Sequence, residues 1–320
     1  MQRTARAHPN IALIKYWGKR DTELNLPAVG SISITLSTLH TDMTIALDAS
    51  LDEDELTLNG DTAPGLLPRI SACIDQVLGA TRDRARIRST GNFPVAAGLA
   101  SSASAFAACV VAADALDDVQ RSRDTLANLA GRASGSAARS LFGGFVELEN
   151  EADAVRVDEI LAPAEWPLDV VVAITSEGKK AVGSGEAMEI SRRTSPFYAQ
   201  WIAEQEADLD TARDAIGRRD VAALGAIAEH NCLKMHSVMW TSRPPLVYWT
   251  SATIACMETV RRLRADGVPV FFTIDAGPQV KAVCDPSARA DVERALADTP
   301  GVLRTLVTPL GEGARLLDDE

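Results

Sequence analysis

Residues 94–105 read PVAAGLASSASA, which sets Gly98 three positions ahead of a serine pair, Ser101 and Ser102, at the mouth of an alanine-rich run that continues to about Leu116. Alanine is the best helix former, and serine at a helix start accepts hydrogen bonds from N–H groups that have no partner inside the helix. The stretch therefore predicts a helix from Ser101 with a glycine-containing loop folded over its N-terminus. Such a terminus carries free N–H groups and the positive end of the helix dipole, which together form an anion site. A plain helix cap after a turn is the other reading of G-x-x-S-S taken alone. The spacing is not G-x-x-x-x-G-K-[ST], so the mechanics of a Walker A loop do not transfer.

Upstream, SISITLS (31–37) and DMTIALDA (42–49) alternate apolar and polar residues as half-buried strands do, and LTLNGD (56–61) carries the Asn-Gly signal of a hairpin. These segments imply an antiparallel sheet. Ile70, Cys73, Ile74, Val77 and Leu78 fall at helical spacing, and the strand-like ARIRS follows. Downstream, a helix over about 123–133 runs into the small-residue turn ASGSAARS. The pattern changes at APAEWP (162–167), where LDVVVAITS begins a continuous apolar strand, and the domain boundary is placed there: 1–167 and 168–320. Helices then dominate to about 265, Gly267 acts as a stop, and PVFFTI, VKAVC and VLRTLV read as strands, with a helix from Ser287. The class is α+β in two packed lobes with mixed or antiparallel sheets.

The formal charge is −12 and the pI near 4.9. That balance excludes nucleic acid and anionic membrane as general partners, because both need a basic surface, and requires any anionic ligand to be met by a local cluster of cations. NIALIKYWGKRD (10–21) supplies one, with Lys15, Lys19 and Arg20. The segment does not read as a signal peptide, since Lys15 interrupts its apolar run, and no stretch is long and apolar enough to span a bilayer. Five scattered cysteines without a C-x-x-C pair suggest reduced thiols and a cytoplasmic location, and four histidines, none paired at i, i+4, give no zinc signature.

NIALIKYWGKRD, NFPVAAGLASSASA (92–105), SGSAARSLFGGF (134–145) and FTIDAGP (272–278) occur in this order. Together with GSGEAM (183–188) and KMHSV (234–238), they make nearly the whole chain resemble the mevalonate diphosphate decarboxylases, a branch of the GHMP kinase superfamily. The resemblance implies the GHMP kinase fold with its active site in the cleft between the lobes, a cytoplasmic homodimer, and ATP and Mg²⁺ as cofactors. The implied reaction phosphorylates the 3-hydroxyl of mevalonate 5-diphosphate; phosphate and CO₂ then leave, giving isopentenyl diphosphate.

By the same resemblance, Asp275 would take the hydroxyl proton beside Lys15, and Arg139, whose planar fork matches a carboxylate, would act with it. Tyr16, Lys19, Ser134, Ser136, Arg139 and Ser184 would hold the substrate. The nucleotide would meet Gly98, Ala100, Ser101 and Ser102, with Ser102 also reaching the metal. Asn92 is either a nucleotide contact or a turn residue after Gly91, and Lys179 or Lys180 is either near the phosphates or on the surface. His236 reads as a packed structural histidine and Trp17 as a pocket wall. Val29 and Gly30 stand where many family members carry Asn and Ser, and Ala133 replaces the glycine that opens the GSGSA motif. These departures bear on the contacts around the diphosphate.

Overall fold

In a computed structural model that describes residues 1–93, 101–178 and 180–317, the chain opens with β1 (Gln2–Ala7), β2 (Asn10–Ile14), β3 (Lys19–Asp21), β4 (Leu26–Pro27), β5 (Ser31–Thr35) and β6 (Thr41–Leu47). The hairpin β7 (Glu55–Leu58) to β8 (Asp61–Thr62) follows, then helix α1 (Leu67–Leu78), β9 (Ala85–Gly91), and helices α2 (Ser101–Asp114) and α3 (Arg123–Ala133). A 3-10 turn over Ala137–Leu141 leads to β10 (Phe145–Asn150) and β11 (Val155–Leu161). The second half comprises β12 (Asp169–Ile174), helices α4 (Ser184–Thr194), α5 (Tyr198–Gly217), α6 (Val221–Trp240) and α7 (Ser251–Ala265), β13 (Val270–Ile274), β14 (Val280–Cys284), α8 (Arg289–Ala297), β15 (Arg304–Pro309) and β16 (Arg315–Leu316).

The first lobe is built on two sheets, ordered β16-β1-β6-β9-β7-β8 and β11-β10-β5-β2, and the second on β13-β14-β12-β15. Asn59 and Gly60 both take positive φ, 52° and 93°, as the tight turn between β7 and β8 requires. The segments at 31–37, 42–49 and 56–61 form strands as expected, but they do not make one antiparallel sheet. β5 and β6 lie in different sheets, and β7 runs parallel to β9, so the larger sheet is mixed. The alternation in β5 misleads because its polar members are buried as well: Ser31 Oγ accepts from Arg139 Nη1, and Thr35 Oγ1 donates to the Phe142 carbonyl at 2.9 Å. The chain also returns to its start, for β16 pairs with β1.

The alanine richness of α2 has a packing cause. The helix is buried on almost every side, from Ala103 through Asp114, between the larger sheet, α1 and α3, and only small side chains let so many elements approach one axis. A separate apolar cluster joins the two lobes, with Ile11, Leu13 and Ile14 of β2 against Leu209 and Ala212 of α5 and Phe271 of β13. The end of β2, and Lys15 with it, is thereby fixed at the junction.

The larger sheet is also pinned by a buried ion pair. Arg82 donates to both oxygens of Asp54, at 2.9 and 2.6 Å, and Asp54 accepts the Ala85 N–H at 2.8 Å. Burial alone would raise the Asp54 pKa, but these donors bring it down to about 2. Because the folded value is depressed, the associated stability is present above the unfolded carboxylate value, about 3.9, and is lost as pH falls toward about 2. Asp54→Asn removes the bidentate partner of Arg82 and leaves it only Asp75, whose Oδ1 accepts from Nε at 2.9 Å, and is expected to cost about 1.5–3 kcal/mol at pH 7 by urea unfolding. A loss within about 0.5 kcal/mol would show the pair to be dispensable.

Candidate active site

A cavity of about 820 Å³ lies where the lobes meet. Among the described residues six cations line it, Lys15, Lys19, Arg69, Arg132, Arg139 and Lys180, against the carboxylates of Glu23 and Asp275. In a chain of charge −12 this is the local cluster that an anionic ligand demands.

At its centre, Asp275 follows β13 in a turn closed by Gly277 N–H to the Asp275 carbonyl at 2.7 Å. Its carboxylate is 26% exposed and accepts from Lys15 Nζ at 2.7 Å. Lys15 is 1% exposed; its Nζ also donates to the Ala12 carbonyl at 2.8 Å, and its backbone N–H donates to Asn231 Oδ1 at 2.7 Å. Burial opposes ionisation of Asp275, yet the neighbouring ammonium groups hold its pKa well below the usual carboxylate range. The side chain is an anion at any working pH.

Arg139 is 2% exposed. It donates to Asn10 Oδ1 through Nε and Nη2, at 3.3 and 3.2 Å, and to Ser31 Oγ through Nη1. These partners are neutral, so the guanidinium is oriented without being neutralised. Burial lowers its pKa to about 10, which leaves it charged at neutral pH. A buried cation held in this way is costly alone and favours an incoming carboxylate or phosphate.

The serines of the two small-residue segments meet across the cavity: Ser134 Oγ donates to Ser102 Oγ at 3.3 Å and lies 3.5 Å from Ser136 Oγ. Tyr16 is packed against Gly135, where a Cβ would fall 2.5 Å from the phenol oxygen, and that oxygen is buried with no hydrogen-bond partner among the described residues. Burial pushes its pKa up to about 12, so it is a neutral donor aimed into the site. Lys180 Nζ donates to Ser184 Oγ at 2.7 Å and to the Ala276 carbonyl at 3.3 Å, beside Asp275. Lys19 and Ser101 complete the lining, and Trp17 forms a buried wall held through its carbonyl by Trp201 Nε1 at 2.9 Å.

Other residues are placed elsewhere. Asn92 does not line the cavity, and both ends of its amide serve the neighbouring turn, donating to the Thr38 carbonyl at 2.8 Å and accepting the His40 N–H at 2.9 Å. Gly98, Ala100 and Lys179 lie outside the described residues. Arg20 points away and donates to the Glu151, Ala152 and Ala154 carbonyls. His236 is fully buried; burial lowers its pKa to about 3, and Trp249 Nε1 lies 3.2 Å from its Nε2. Val29 is a packing residue, and at Gly30 a Cβ would fall 2.8 Å from Leu209, so the space there is taken by the second lobe.

Three features escape a reading of the sequence. Arg69 of α1 reaches over the cavity, its Nη2 donating to the Ala133 carbonyl at 3.0 Å, and nothing in its helical spacing distinguishes it from a solvated face. The second feature is a chain of polar contacts: Lys234 to Asp208 at 2.9 Å, Asn231 to Asp208 at 2.6 Å, and Gln205 to the Lys15 carbonyl at 2.8 Å. It lets α5 and α6 hold the Lys15 backbone from the second lobe. The third is a second lysine on Asp275, Lys281; its place in VKAVC could have signalled it, as a lone cation inside an otherwise apolar strand.

Among the described residues no group of three or more His, Cys, Asp or Glu is placed to hold a metal. Mg²⁺ commonly enters such sites with the phosphates it binds and takes only one or two protein oxygens. The Ser102 hydroxyl, exposed at the start of α2, fits that limited part.

Comparison with known proteins agrees with this arrangement. A family model described as the diphosphomevalonate decarboxylase-like N-terminal domain matches residues 7–158, and one described as the mevalonate 5-diphosphate decarboxylase C-terminal domain matches 170–298. The diphosphomevalonate decarboxylase of Candida albicans is 34% identical, covering 95% of this chain and 94% of the relative. The phosphomevalonate decarboxylase of Haloferax volcanii is also 34% identical, covering 100% and 98%. A solved structure described as MDDEF in complex with MVAPP, AMPPCP and magnesium superposes with a TM-score of 0.91 at 34% identity, covering 100% of this chain and 99% of that one. With both halves matched and relatives aligned end to end, the chain belongs to the mevalonate diphosphate decarboxylase family of the GHMP kinase superfamily.

Proposed function

We propose that the protein is an ATP- and Mg²⁺-dependent diphosphomevalonate decarboxylase, converting mevalonate 5-diphosphate to isopentenyl diphosphate with release of ADP, phosphate and CO₂. The observation that carries this reading is the Lys15–Asp275 pair, a buried ammonium on a partly exposed carboxylate, in a cavity lined by cations. ATP, held with Mg²⁺ by the serines at the mouth of α2, supplies the phosphoryl group. Asp275 accepts the hydrogen bond of the 3-hydroxyl and takes its proton, while Lys15 keeps the carboxylate ionised and steadies the charge that develops. Arg139 grips the substrate carboxylate until it leaves as CO₂. Tyr16, Lys19, Ser134, Ser136 and Ser184 hold the remaining anionic groups. Division at about residue 167 into an ATP lobe and a second lobe, a homodimeric assembly and a cytoplasmic location belong to the same proposal. The five buried, unpaired cysteines support the last of these.

The equal identity to the Haloferax volcanii relative makes the number of phosphates the point to test. ADP and CO₂ are followed separately with ATP, Mg²⁺ and either mevalonate 5-diphosphate or 5-phosphate. The reading expects both products from the diphosphate with the higher kcat/KM. A preference for the monophosphate would move the protein to the other substrate, ADP without CO₂ would make it a 3-kinase, and no turnover would leave a metabolite-binding homologue.

Ser102→Ala removes the hydroxyl from the phosphate and metal region but keeps a good helix former. A kcat loss of about 10²-fold with an unchanged melting temperature is expected. Unchanged kcat and nucleotide KM would reduce the serine to a helix cap.

A further inference from the structure

Arg139 reaches the cavity from the 3-10 turn over Ala137–Leu141, and that turn is held from behind by a segment far away in sequence. So short a turn closes few bonds of its own, here Ala137 N–H to the Ser134 carbonyl at 2.7 Å and Phe142 N–H to the Arg139 carbonyl at 3.1 Å. Its last carbonyls must be satisfied from outside. The Ser140 carbonyl accepts the Ala314 N–H at 3.2 Å, and the Leu141 carbonyl accepts from Arg123 Nη1. Arg123 Nη2 donates in turn to the Ala314 carbonyl at 3.2 Å, so one guanidinium ties the turn to residues 311–317.

The seam is packed without slack. Gly311 donates its N–H to the Thr35 carbonyl at 2.8 Å and accepts the Gly144 N–H at 2.9 Å. A Cβ at Gly143 would fall 2.9 Å from the Glu312 Cα, and one at Gly313 would overlap the Leu141 carbonyl oxygen. Residues 311–317 continue from β15, which pairs with β12 in the sheet that bears Asp275, and end in β16, paired with β1 of the first lobe. The segment therefore runs from the sheet of the base to the turn that aims the guanidinium. Arg123 itself opens α3, where the positive end of the helix dipole disfavours a cation. Its bonds nevertheless converge on the turn, and it lies over the Phe142 ring, 5.9 Å from the centroid. Neither Arg123, Gly313 nor Ala314 lines the cavity.

We propose that Arg123 is a positioning residue for the reaction, acting with residues 311–317 as a strap that fixes the Arg139 guanidinium relative to Asp275. This rests on the reaction proposed above. The carboxylate and the hydroxyl of a 3-hydroxy acid are separated by one methylene. The group that grips the first and the base that serves the second must therefore be kept in register across the two lobes, since small misplacements of reacting groups cost large factors in rate. Asn10 and Ser31 orient the guanidinium at its tip, and the strap fixes the backbone from which it projects.

The position of the guanidinium is read without substrate from the Arg139 Nε–H resonance of enzyme labelled with ¹⁵N-arginine, assigned by its absence from Arg139→Lys. Arg123→Met is expected to move or broaden this resonance in an enzyme that stays folded by circular dichroism. An unmoved resonance would overturn the proposal. Gly313→Ala disturbs the turn from the strap side and is read in the same way if Arg123→Met does not fold. A double-mutant cycle supplies the second arm. Arg123→Met should lower kcat/KM on mevalonate 5-diphosphate about 10-fold, but add less than about 3-fold to the loss caused by Arg139→Lys, because it acts through that side chain. Equal losses in both backgrounds would reduce Arg123 to a structural residue and refute positioning. Lack of turnover by the wild-type enzyme on either mevalonate phosphate would instead refute the functional reading; the two failures are distinguishable because the resonance needs no substrate.

Discussion

Asp275→Asn is expected to abolish both ADP and CO₂ formation, lowering kcat by about 10² to 10⁴-fold while substrate affinity changes little. The substitution keeps the shape of the side chain but removes its charge and its ability to take a proton. It also turns an NH₂ group toward either Lys15 or Lys281, which now hold the two carboxylate oxygens at 2.7 and 3.1 Å. The melting temperature must therefore be measured beside the rates, so that a lost base is separated from a disturbed cluster. Both products should vanish together, because decarboxylation needs the 3-phosphate as a leaving group. A variant that is folded and still releases CO₂ at the wild-type rate would remove Asp275 from the chemistry.

Arg139→Lys is expected to lower kcat/KM about 10²-fold, equivalent to about 2.7 kcal/mol of transition-state stabilisation. The guanidinium is aimed by three hydrogen bonds to Asn10 and Ser31, and a lysine can neither satisfy both partners nor present two parallel donors to a carboxylate. An exposed salt bridge would lose only about 0.2–1 kcal/mol. Kinetics within a few-fold of wild type on mevalonate 5-diphosphate would show that Arg139 does not touch the substrate.

What could be read in advance depended on whether the signal was local. The α2 start at Ser101, the α3 span and the Asn59-Gly60 turn are written in helix propensity and turn chemistry, and they appear where expected. Lys15, Arg139 and Asp275 sit in separate segments, and only the resemblance linked them; the fold brings Lys15 and Asp275 into contact through the β2 end and the β13 turn. The alternation in β5 misled because Ser31, Ser33 and Thr35 look like a wet face but are buried, Ser31 under Arg139 and Thr35 under the Phe142 carbonyl, both of the first lobe. Whether an alternating strand has one solvent face or two covered ones is decided by elements far away in sequence. The hold of Asn231 and Gln205 on Lys15 spans about two hundred residues and leaves no local trace. Asn92 had two readings of equal local merit, and its amide lies in the turn.

The account stands most directly on the coupling of phosphoryl transfer to loss of CO₂. A rapid-quench single turnover with [γ-³²P]ATP and [1-¹⁴C]mevalonate 5-diphosphate measures ADP, phosphate and CO₂ in one experiment. The account predicts one equivalent of each, and no CO₂ when ATP is replaced by a non-hydrolysable analogue. CO₂ released without ADP, or ADP accumulating without CO₂, would contradict it.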